Sequence, residues 1–165
     1  MSKSITGRVW VLGRDIDTDV LYPGKYLPII DPVEMSKHAM EGIDPDFPRK
    51  LRAGDIIVAG PGFGIGSSRE QAATCLKFAG VTAIVAPSVA RIFYRNAVNQ
   101  GLYLVQADLI THVQNGDEIT IDFENCVIQH PGGETPFPPL NESVRAIIDA
   151  GGLIPAVRAK LGFSA

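Results

Sequence analysis

The chain has 165 residues, of which 45% are hydrophobic and 20% charged, a composition typical of a soluble globular protein rather than a disordered chain. The 15 basic and 18 acidic residues give a formal net charge of −3 and form no Lys/Arg block, which argues against a nucleic-acid-binding protein. No apolar run reaches the roughly 18 residues of a membrane span, so we expect no membrane segment. The length suits a single domain over residues 1–165.

The first two-thirds of the chain are predicted to alternate between strands and helices. Residues 6–12 predict a strand, 14–32 an irregular segment, 32–40 a short helix and 43–50 a loop. The elements predicted next are a strand over 56–59, a helix over about 67–79, a strand over 81–86, a helix from Pro87-Ser88 to Gly101 and a strand over 102–106. This order predicts a small parallel sheet with helices packed on it.

The last third of the chain has a different pattern. Residues 118–123 and 126–130 predict two half-buried strands joined by a turn, and glycines and prolines between 132 and 139 predict loops. Helices are predicted over 141–150 and 155–161. The fold class is therefore a mixed α/β domain, in which a parallel part is joined to an antiparallel part.

The most informative segment is GPGFGIGSSRE over residues 60–70. Its four alternate glycines allow the backbone to approach a neighbour closely, and it leads into a helix N-terminus, which favours an anion. Ser67 and Glu70 have the spacing of a capping box, and Arg69 can hold a carboxylate in a bidentate fork. A serine held by backbone N–H donors could accept a proton. Together these residues predict a site for a small carboxylic acid.

Other interpretations of this segment remain open on spacing alone. The serines could simply cap the helix of a tight strand-to-helix turn. A dinucleotide site is disfavoured because the next strand ends in Ala86-Pro87-Ser88, with no acidic residue for a ribose. A phosphate-binding P-loop is disfavoured because the segment has no lysine.

Three aspartates, Asp15, Asp17 and Asp19, alternate after the first predicted strand. They resemble the start of a calcium-binding EF-hand loop, but the sixth position is Val20 instead of glycine and the twelfth is Tyr26 instead of glutamate. The aspartates form either an ordinary turn or a set in which one carboxylate orients a catalytic group. The spacing does not distinguish these two possibilities.

The helix that contains ARIFYRNA, residues 90–97, carries charged residues on one face and aromatic residues on the other. Its arginines are either solvated or turned toward a partner or an acidic ligand. Its inner face is predicted to consist of Val89, Ile92, Phe93 and Ala97.

Metal-ligating residues are few. The two cysteines, Cys75 and Cys126, cannot by themselves hold an iron–sulfur cluster or a structural zinc ion. His38, His112 and His130 form no ligand-like pair. We therefore expect no metal site in this chain, and two isolated cysteines suit a reducing cytoplasm.

Three segments in this order resemble the small subunits of isopropylmalate dehydratases, the separate swivel domains of the aconitase superfamily. They are DIDTD with PGKYL over 15–27, GIGSSREQA over 64–72 and ARIFYRNA over 90–97, and GGLIP over 151–155 extends the resemblance. The resemblance implies a three-layer β/β/α swivelling domain. It also implies a large partner subunit that carries a [4Fe-4S] cluster on three cysteines, with no cofactor bound by this chain.

The activity implied by the resemblance is that of a hydro-lyase. Such an enzyme interconverts 2- and 3-isopropylmalate through isopropylmaleate, in leucine biosynthesis, and its small subunit is active only with the large one. By match to the family motifs, Ser67 would be the catalytic base, and Ser68 and Arg69 would bind the carboxylates of a small hydroxy-dicarboxylic acid. Asp19 would support the acid side of the reaction through a histidine of the partner.

Substrate choice in the family depends on the loop formed here by Tyr26, Leu27, Pro28, Ile29 and Ile30. Homoaconitase-like subunits place an arginine after the Tyr-Leu pair, whereas the residues in this chain are apolar and fit an alkyl group. Alternatives are a dehydratase of another alkyl-malate, such as citramalate or dimethylmalate, a homoaconitase, and a non-catalytic module that binds an anion or a partner. Exposed apolar surface could also drive self-association of the isolated chain.

Overall fold

The computed structural model describes residues 4–163, so the expected single domain over 1–165 extends beyond the described part at both ends. A seven-stranded sheet has the order β4-β3-β2-β1-β5-β6-β7. The strands are β1 (Ser4–Val11), β2 (Ile56–Val58), β3 (Ala83–Ala86), β4 (Tyr103–Gln106), β5 (Glu118–Asp122), β6 (Val127–His130) and β7 (Gly133–Pro136).

The long strand β1 joins the two parts of the sheet. Its residues 9–11 pair in parallel with β2, whereas its residues 4–8 pair antiparallel with β5. Strands β2, β3 and β4 continue the parallel part, and β5, β6 and β7 continue the antiparallel part. The sheet therefore curls at β1, and the predicted mixed α/β class is confirmed.

The helices are α1 (Thr18–Leu21), α2 (Pro32–Ser36), α3 (Phe47–Lys50), α4 (Glu70–Phe78), α5 (Arg91–Asn99), α6 (Glu142–Asp149) and α7 (Leu153–Lys160), with a 3-10 turn at Gly24–Tyr26. None of the helices between residues 4 and 163 has the length and apolarity required to cross a membrane.

Three segments that were predicted to lack regular structure contain it. The first of them, 14–32, holds α1 and the 3-10 turn. The predicted loop at 43–50 holds α3, because Pro48 falls in the first turn, where a helix does not need its missing N–H. Strand β7 likewise lies within 132–139, where glycines and prolines predicted loops. It is at the edge of the sheet and pairs only with β6, a position in which proline is tolerated.

Helices α4 and α5 pack on the parallel part of the sheet. In α4 the buried face includes Ala72, Cys75 and Leu76, as predicted. In α5 the helix begins at Arg91 rather than at Pro87-Ser88. The buried face of α5 is Phe93, Ala97 and Val98, so the prediction that Ile92 lies on the inner face is wrong: its side chain is half exposed.

Candidate functional site

A cavity of about 230 Å³ lies where three loops leave the carboxyl ends of β1, β2 and β3. This edge of a parallel sheet is where α/β proteins commonly bind ligands. Its lining residues are Thr18, Gly64, Gly66, Ser67, Ser68, Arg69, Ala90, Arg91, Ile92, Phe93 and Asn96. The cavity thus combines the glycine loop, the aspartate run and the start of ARIFYRNA, which are far apart in the sequence.

Backbone hydrogen bonds join the three loops. The N–H of Gly64 donates to the carbonyl of Ile16 at 2.8 Å, and the N–H of Ala90 donates to the carbonyl of Phe63 at 2.8 Å. The loop that carries the serines is therefore held on both sides, which fixes the position of the cavity wall.

The glycines of this loop are required by close approaches within the chain. Gly64 has φ +80°, and a Cβ there would overlap the ring of Phe93. Gly66 has φ +93°, and a Cβ there would lie 2.5 Å from the carboxylate of Asp17. The close neighbours that these two glycines permit are thus side chains of the same chain. The glycine spacing predicted a close approach but did not identify the neighbour.

The predicted capping box of Ser67 and Glu70 is wrong. Helix α4 begins at Glu70, its N-cap is Arg69 in an extended conformation, and no side chain caps it. Both serines therefore precede the N-cap position and lie outside the helix. The side chains of Ser67 and Ser68 are exposed and form no hydrogen bond with residues 4–163. Their hydroxyl groups are therefore available to a ligand.

Thr18 fixes the backbone beside the serines, a role that sequence reasoning missed. Its buried side chain donates from Oγ1 to the carbonyl of Ser67 at 2.8 Å, and its N–H donates to the carbonyl of Ile65 at 2.9 Å. The sequence signal for this role of Thr18 was its position within the aspartate run, between Asp17 and Asp19.

Arg69 and Asp19, which were predicted separately, form an ion pair. Nη2 of Arg69 lies 2.8 Å from Oδ1 of Asp19, and Nη1 donates to the carbonyl of Tyr22 at 2.9 Å. The guanidinium also packs on Gly24, where an added Cβ would lie 3.3 Å from Nη2. The Arg69 side chain is only 15% exposed, whereas that of Asp19 is 57% exposed.

The other two aspartates have separate partners. Asp17 caps α1 by accepting a hydrogen bond from the N–H of Asp19 at 2.8 Å. Asp15 pairs with Arg14 at 3.1 Å on the surface. Among residues 4–163, no group of three or more His, Cys, Asp or Glu side chains could hold a metal ion.

The predicted specificity loop lies beside α4, apart from the serine cavity. Leu27, Ile29 and Ile30 line a groove of about 350 Å³ whose α4 side carries both the apolar Phe78 and the polar Glu70, Gln71 and Thr74. Ile30 is 89% exposed. Nζ of Lys25 lies 5.1 Å from the ring centroid of Tyr26. The groove shares no lining residue with the serine cavity.

Three side chains anchor the start of the specificity loop. The hydroxyl of Tyr26 donates to Oε1 of Glu41 at 2.5 Å, and Oε2 of Glu41 lies 2.7 Å from Nδ1 of His38. The rings of Tyr26 and His38 stack at 3.6 Å. Burial alone would raise the pKa of Glu41, but the hydrogen bonds from Tyr26 and His38 hold it below its usual value. Sequence analysis did not identify this cluster.

Arg91 and Asn96 contribute the α5 side of the cavity. The N-cap of α5, Ala90, has no capping side chain, and the N-cap of α4, Arg69, has none either. Both N-caps line the same cavity, so two helix ends with unpaired N–H groups and positive dipole charge meet there. The arrangement favours an anionic ligand.

Neither the two cysteines nor any of the three histidines lines this cavity. Cys75 is fully buried in α4, which raises the pKa of its thiol, and Cys126 lies in the turn between β5 and β6. The rings of His112 and His130 are tilted against each other, with 5.4 Å between their centroids. None of these residues contributes to the site described above.

Known proteins resemble this chain in both sequence and structure. The sequence profile of the aconitase C-terminal domain matches residues 15–108. A 3-isopropylmalate dehydratase small subunit of Nautilia profundicola is 51% identical over 91% of this chain and 92% of its own length. A methanogen homoaconitase small subunit of Methanothermobacter thermautotrophicus is 47% identical over 93% of this chain and 91% of its own length.

Two solved structures are similar. The crystal structure of a 3-isopropylmalate dehydratase from Methanocaldococcus jannaschii has a TM-score of 0.91 and 41% sequence identity, covering 96% of this chain and 95% of that one. Aconitase X of Thermococcus kodakaraensis has a TM-score of 0.51 at 18% identity, covering 82% of this chain and 90% of that one. The second match supports the fold alone.

Proposed function

Because this chain belongs to the aconitase C-terminal domain family, we propose that it is the small subunit of a 3-isopropylmalate dehydratase. The enzyme would be a hydro-lyase that interconverts 2- and 3-isopropylmalate with a large partner subunit. The single observation that carries this proposal is the cavity in which Ser67 and Ser68 keep free hydroxyl groups beside the guanidinium of Arg69.

The [4Fe-4S] cluster does not fit this chain. Three cysteines would be needed to hold it, whereas this chain has two, and Cys75 is buried away from the cavity. We therefore assign the cluster to the large subunit. The residues of this chain would bind the substrate and move its proton.

Ser67 is proposed as the base that removes the proton from the carbon beside a substrate carboxylate. Its side chain is not used as a helix cap, so it can act in the deprotonated form and accept that proton on Oγ. The positive ends of α4 and α5 stabilise an alkoxide at this position. The same oxygen would return a proton when water is added back to the double bond.

Ser68 and Arg69 are proposed to bind the substrate carboxylate. Arg69 has five N–H donors, of which Tyr22 and Asp19 occupy only part, so it can still donate to a further oxygen. Asp19 fixes the guanidinium inside this chain, and its exposed carboxylate can face a histidine of the partner, the role that the family resemblance implies.

The apolar loop favours isopropylmalate over substrates with a third carboxylate. Between Leu27 and Ile30 no cationic side chain is present, and the groove beside α4 has no cationic lining residue: its apolar side chains are joined by Glu70, Gln71, Thr74 and Gln100. A carboxylate buried there without a partner would cost several kcal/mol. This argues against a homoaconitase, although a homoaconitase small subunit is among the relatives.

The test is a reconstitution with the cluster-loaded large subunit under anaerobic conditions. We expect formation of the unsaturated acid from 3-isopropylmalate only when both chains are present, and a loss of at least about 100-fold in kcat for Ser67→Ala. Citramalate, dimethylmalate and homocitrate serve as parallel substrates.

The exposed serine Ser143 on α6 provides the matched control, since Ser143→Ala should leave kcat unchanged. Full activity of Ser67→Ala would refute the assignment of the base. Turnover of a different malate would support the proposed mechanism and assign a different substrate. If the complex forms but turns over none of these acids, the chain would be a binding module.

A further inference from the structure

We propose that Arg91, at the first position of α5, is a second carboxylate-binding residue of this site. The inference rests on the proposed function, because it assigns a residue to the dicarboxylic substrate of that reaction. Arg91 lines the same cavity as Ser67 and Ser68, from the opposite helix. The sequence alone left its guanidinium either solvated or directed at an acidic ligand.

The first argument is the state of Arg69. Its positive charge is already matched by Asp19 at 2.8 Å, and a second of its nitrogens is bound to the carbonyl of Tyr22. With 15% of its side chain exposed, it can offer remaining donors but little uncompensated charge. A carboxylate that binds at Arg69 must share it with Asp19.

The second argument is the charge of the cavity. An alkyl-malate carries two carboxylates and thus a charge of about −2 at neutral pH. The side chains that line the cavity include two charged groups, those of Arg69 and Arg91, and no acidic group. After the Asp19 pairing, Arg91 is the cation that can match the second carboxylate.

The third argument is that Arg91 is available and well placed. Its side chain is exposed and forms no hydrogen bond or ion pair with residues 4–163. Its backbone is nevertheless fixed, because Ala90 is hydrogen-bonded to Phe63 and α5 starts directly after it. Arg95, one turn further along α5, is also exposed but does not line the cavity.

The experiment compares Arg91→Gln with Arg95→Gln in the reconstituted complex. For Arg91→Gln we expect KM for 3-isopropylmalate to rise by about tenfold or more, with a smaller change in kcat, because a charged hydrogen bond to the substrate is lost. Arg91→Lys should recover part of the loss, and Arg95→Gln should leave KM and kcat unchanged. The affinity of each variant for the large subunit is measured in parallel.

Competitive inhibitors separate contact with substrate from a structural effect. Arg91→Gln should weaken inhibition by isopropylsuccinate, which has two carboxylates, more than inhibition by an analogue that lacks one of them. An unchanged KM for Arg91→Gln, or a loss confined to binding of the large subunit, would overturn the assignment while Ser67→Ala still tests the function. If the parent complex turns over no malate, the proposed function fails and the role of Arg91 fails with it.

Discussion

Asp55 and Ser67 lie at opposite ends of the parallel strands and are used in opposite ways. Asp55 stands at the amino end of β2, where its carboxylate accepts hydrogen bonds from Nη2 of Arg8 at 2.9 Å, Nε1 of Trp10 at 2.8 Å and the N–H of Arg52 at 2.9 Å. Ser67 lies beyond the carboxyl end of the same strand, with its hydroxyl group unbonded to any residue from 4 to 163.

The contrast distinguishes polar groups that are hydrogen-bonded within the chain from polar groups that have no partner there. A buried carboxylate whose oxygens all accept hydrogen bonds within the chain stabilises the fold. If any of the donor groups is removed, a buried oxygen loses its hydrogen bond and the folded state loses stability. Hydroxyl and guanidinium groups that are brought together without internal partners contribute little to folding. The difference predicts that substitutions at the two ends of the strands affect different measurements.

The largest expected effect on stability is at Asp55. Asp55→Asn should lower the free energy of unfolding by about 3 kcal/mol at pH 7, because Arg8 would keep its charge without the opposite charge. Burial alone would raise the pKa of Asp55, but hydrogen bonds from Arg8, Trp10 and Arg52 hold it below its usual value. Its contribution is therefore present above about pH 4 and is lost as the pH falls through the lowered pKa.

Denaturant unfolding between pH 3 and pH 8 checks this. The difference between Asp55→Asn and the parent should shrink as the pH falls below about 4, because the carboxyl of the unfolded chain then takes up a proton before that of the folded parent does. Ser67→Ala is the matched comparison and should change the free energy of unfolding by less than about 0.5 kcal/mol, since no cap bond is lost. A destabilised Ser67→Ala would show that the serine is structural and would remove the contrast.

A smaller effect is expected at the glycine loop. Gly64→Ala should destabilise the chain by about 2 kcal/mol more than Gly116→Ala. Both glycines have a positive φ, +80° and +90°, so both variants carry similar backbone strain. Only at Gly64 would the new Cβ overlap a side chain, that of Phe93, whereas at Gly116 nothing lies within 4 Å.

Thermal unfolding of the two variants separates two contributions to the lost stability. One is the steric overlap of the new Cβ with Phe93, and the other is the strain of a non-glycine residue at positive φ. Equal losses would show that the loop can move away from α5 and that the cavity wall is not rigid. If the loop is rigid, Gly64→Ala should also lower kcat in the reconstituted complex, because Ser67 follows three residues later.

Much of the fold could be predicted from local patterns. The apolar runs of β2 and β3 and the alternation in β5 identified strands, and their order along the chain gave the mixed architecture. Strand β7 was not predicted because its glycine and proline residues are typical of loops. It forms at the edge of the sheet because β6 pairs with it, and its own residues do not indicate this pairing. The start of α4 was misplaced because a capping box describes local spacing, whereas the carbonyl of Ser67 is held outside the helix by a hydrogen bond from the distant Thr18.

Sequence analysis named residues of the candidate site but not the contacts among them. The family motifs predicted Ser67, Arg69 and Asp19, but only the structure shows that the last two form an ion pair. Arg91 could be identified only as one of two arginines on α5, because which of them faces the cavity depends on how the helix is rotated against the serine loop.

The smallest expected effect is on substrate choice, at Glu41. Glu41→Gln keeps an oxygen that can accept a hydrogen bond from Tyr26, but it removes the negative charge facing His38. The anchor of the specificity loop is weakened rather than broken. We expect the ratio of kcat/KM for isopropylmalate over citramalate to fall by about fivefold, the scale of one weakened hydrogen bond.

Glu34 provides the control for Glu41. It also pairs with a residue three positions along the chain, Lys37 at 2.8 Å, but on the exposed surface of α2 and its C-terminal end. Glu34→Gln should leave both the melting temperature and the substrate ratio unchanged, because exposed pairs contribute little. An unchanged ratio in Glu41→Gln, with a lowered melting temperature, would show that the cluster stabilises the fold without positioning the loop. In that case Glu41 would belong with Asp55, among the polar groups whose hydrogen bonds serve folding alone.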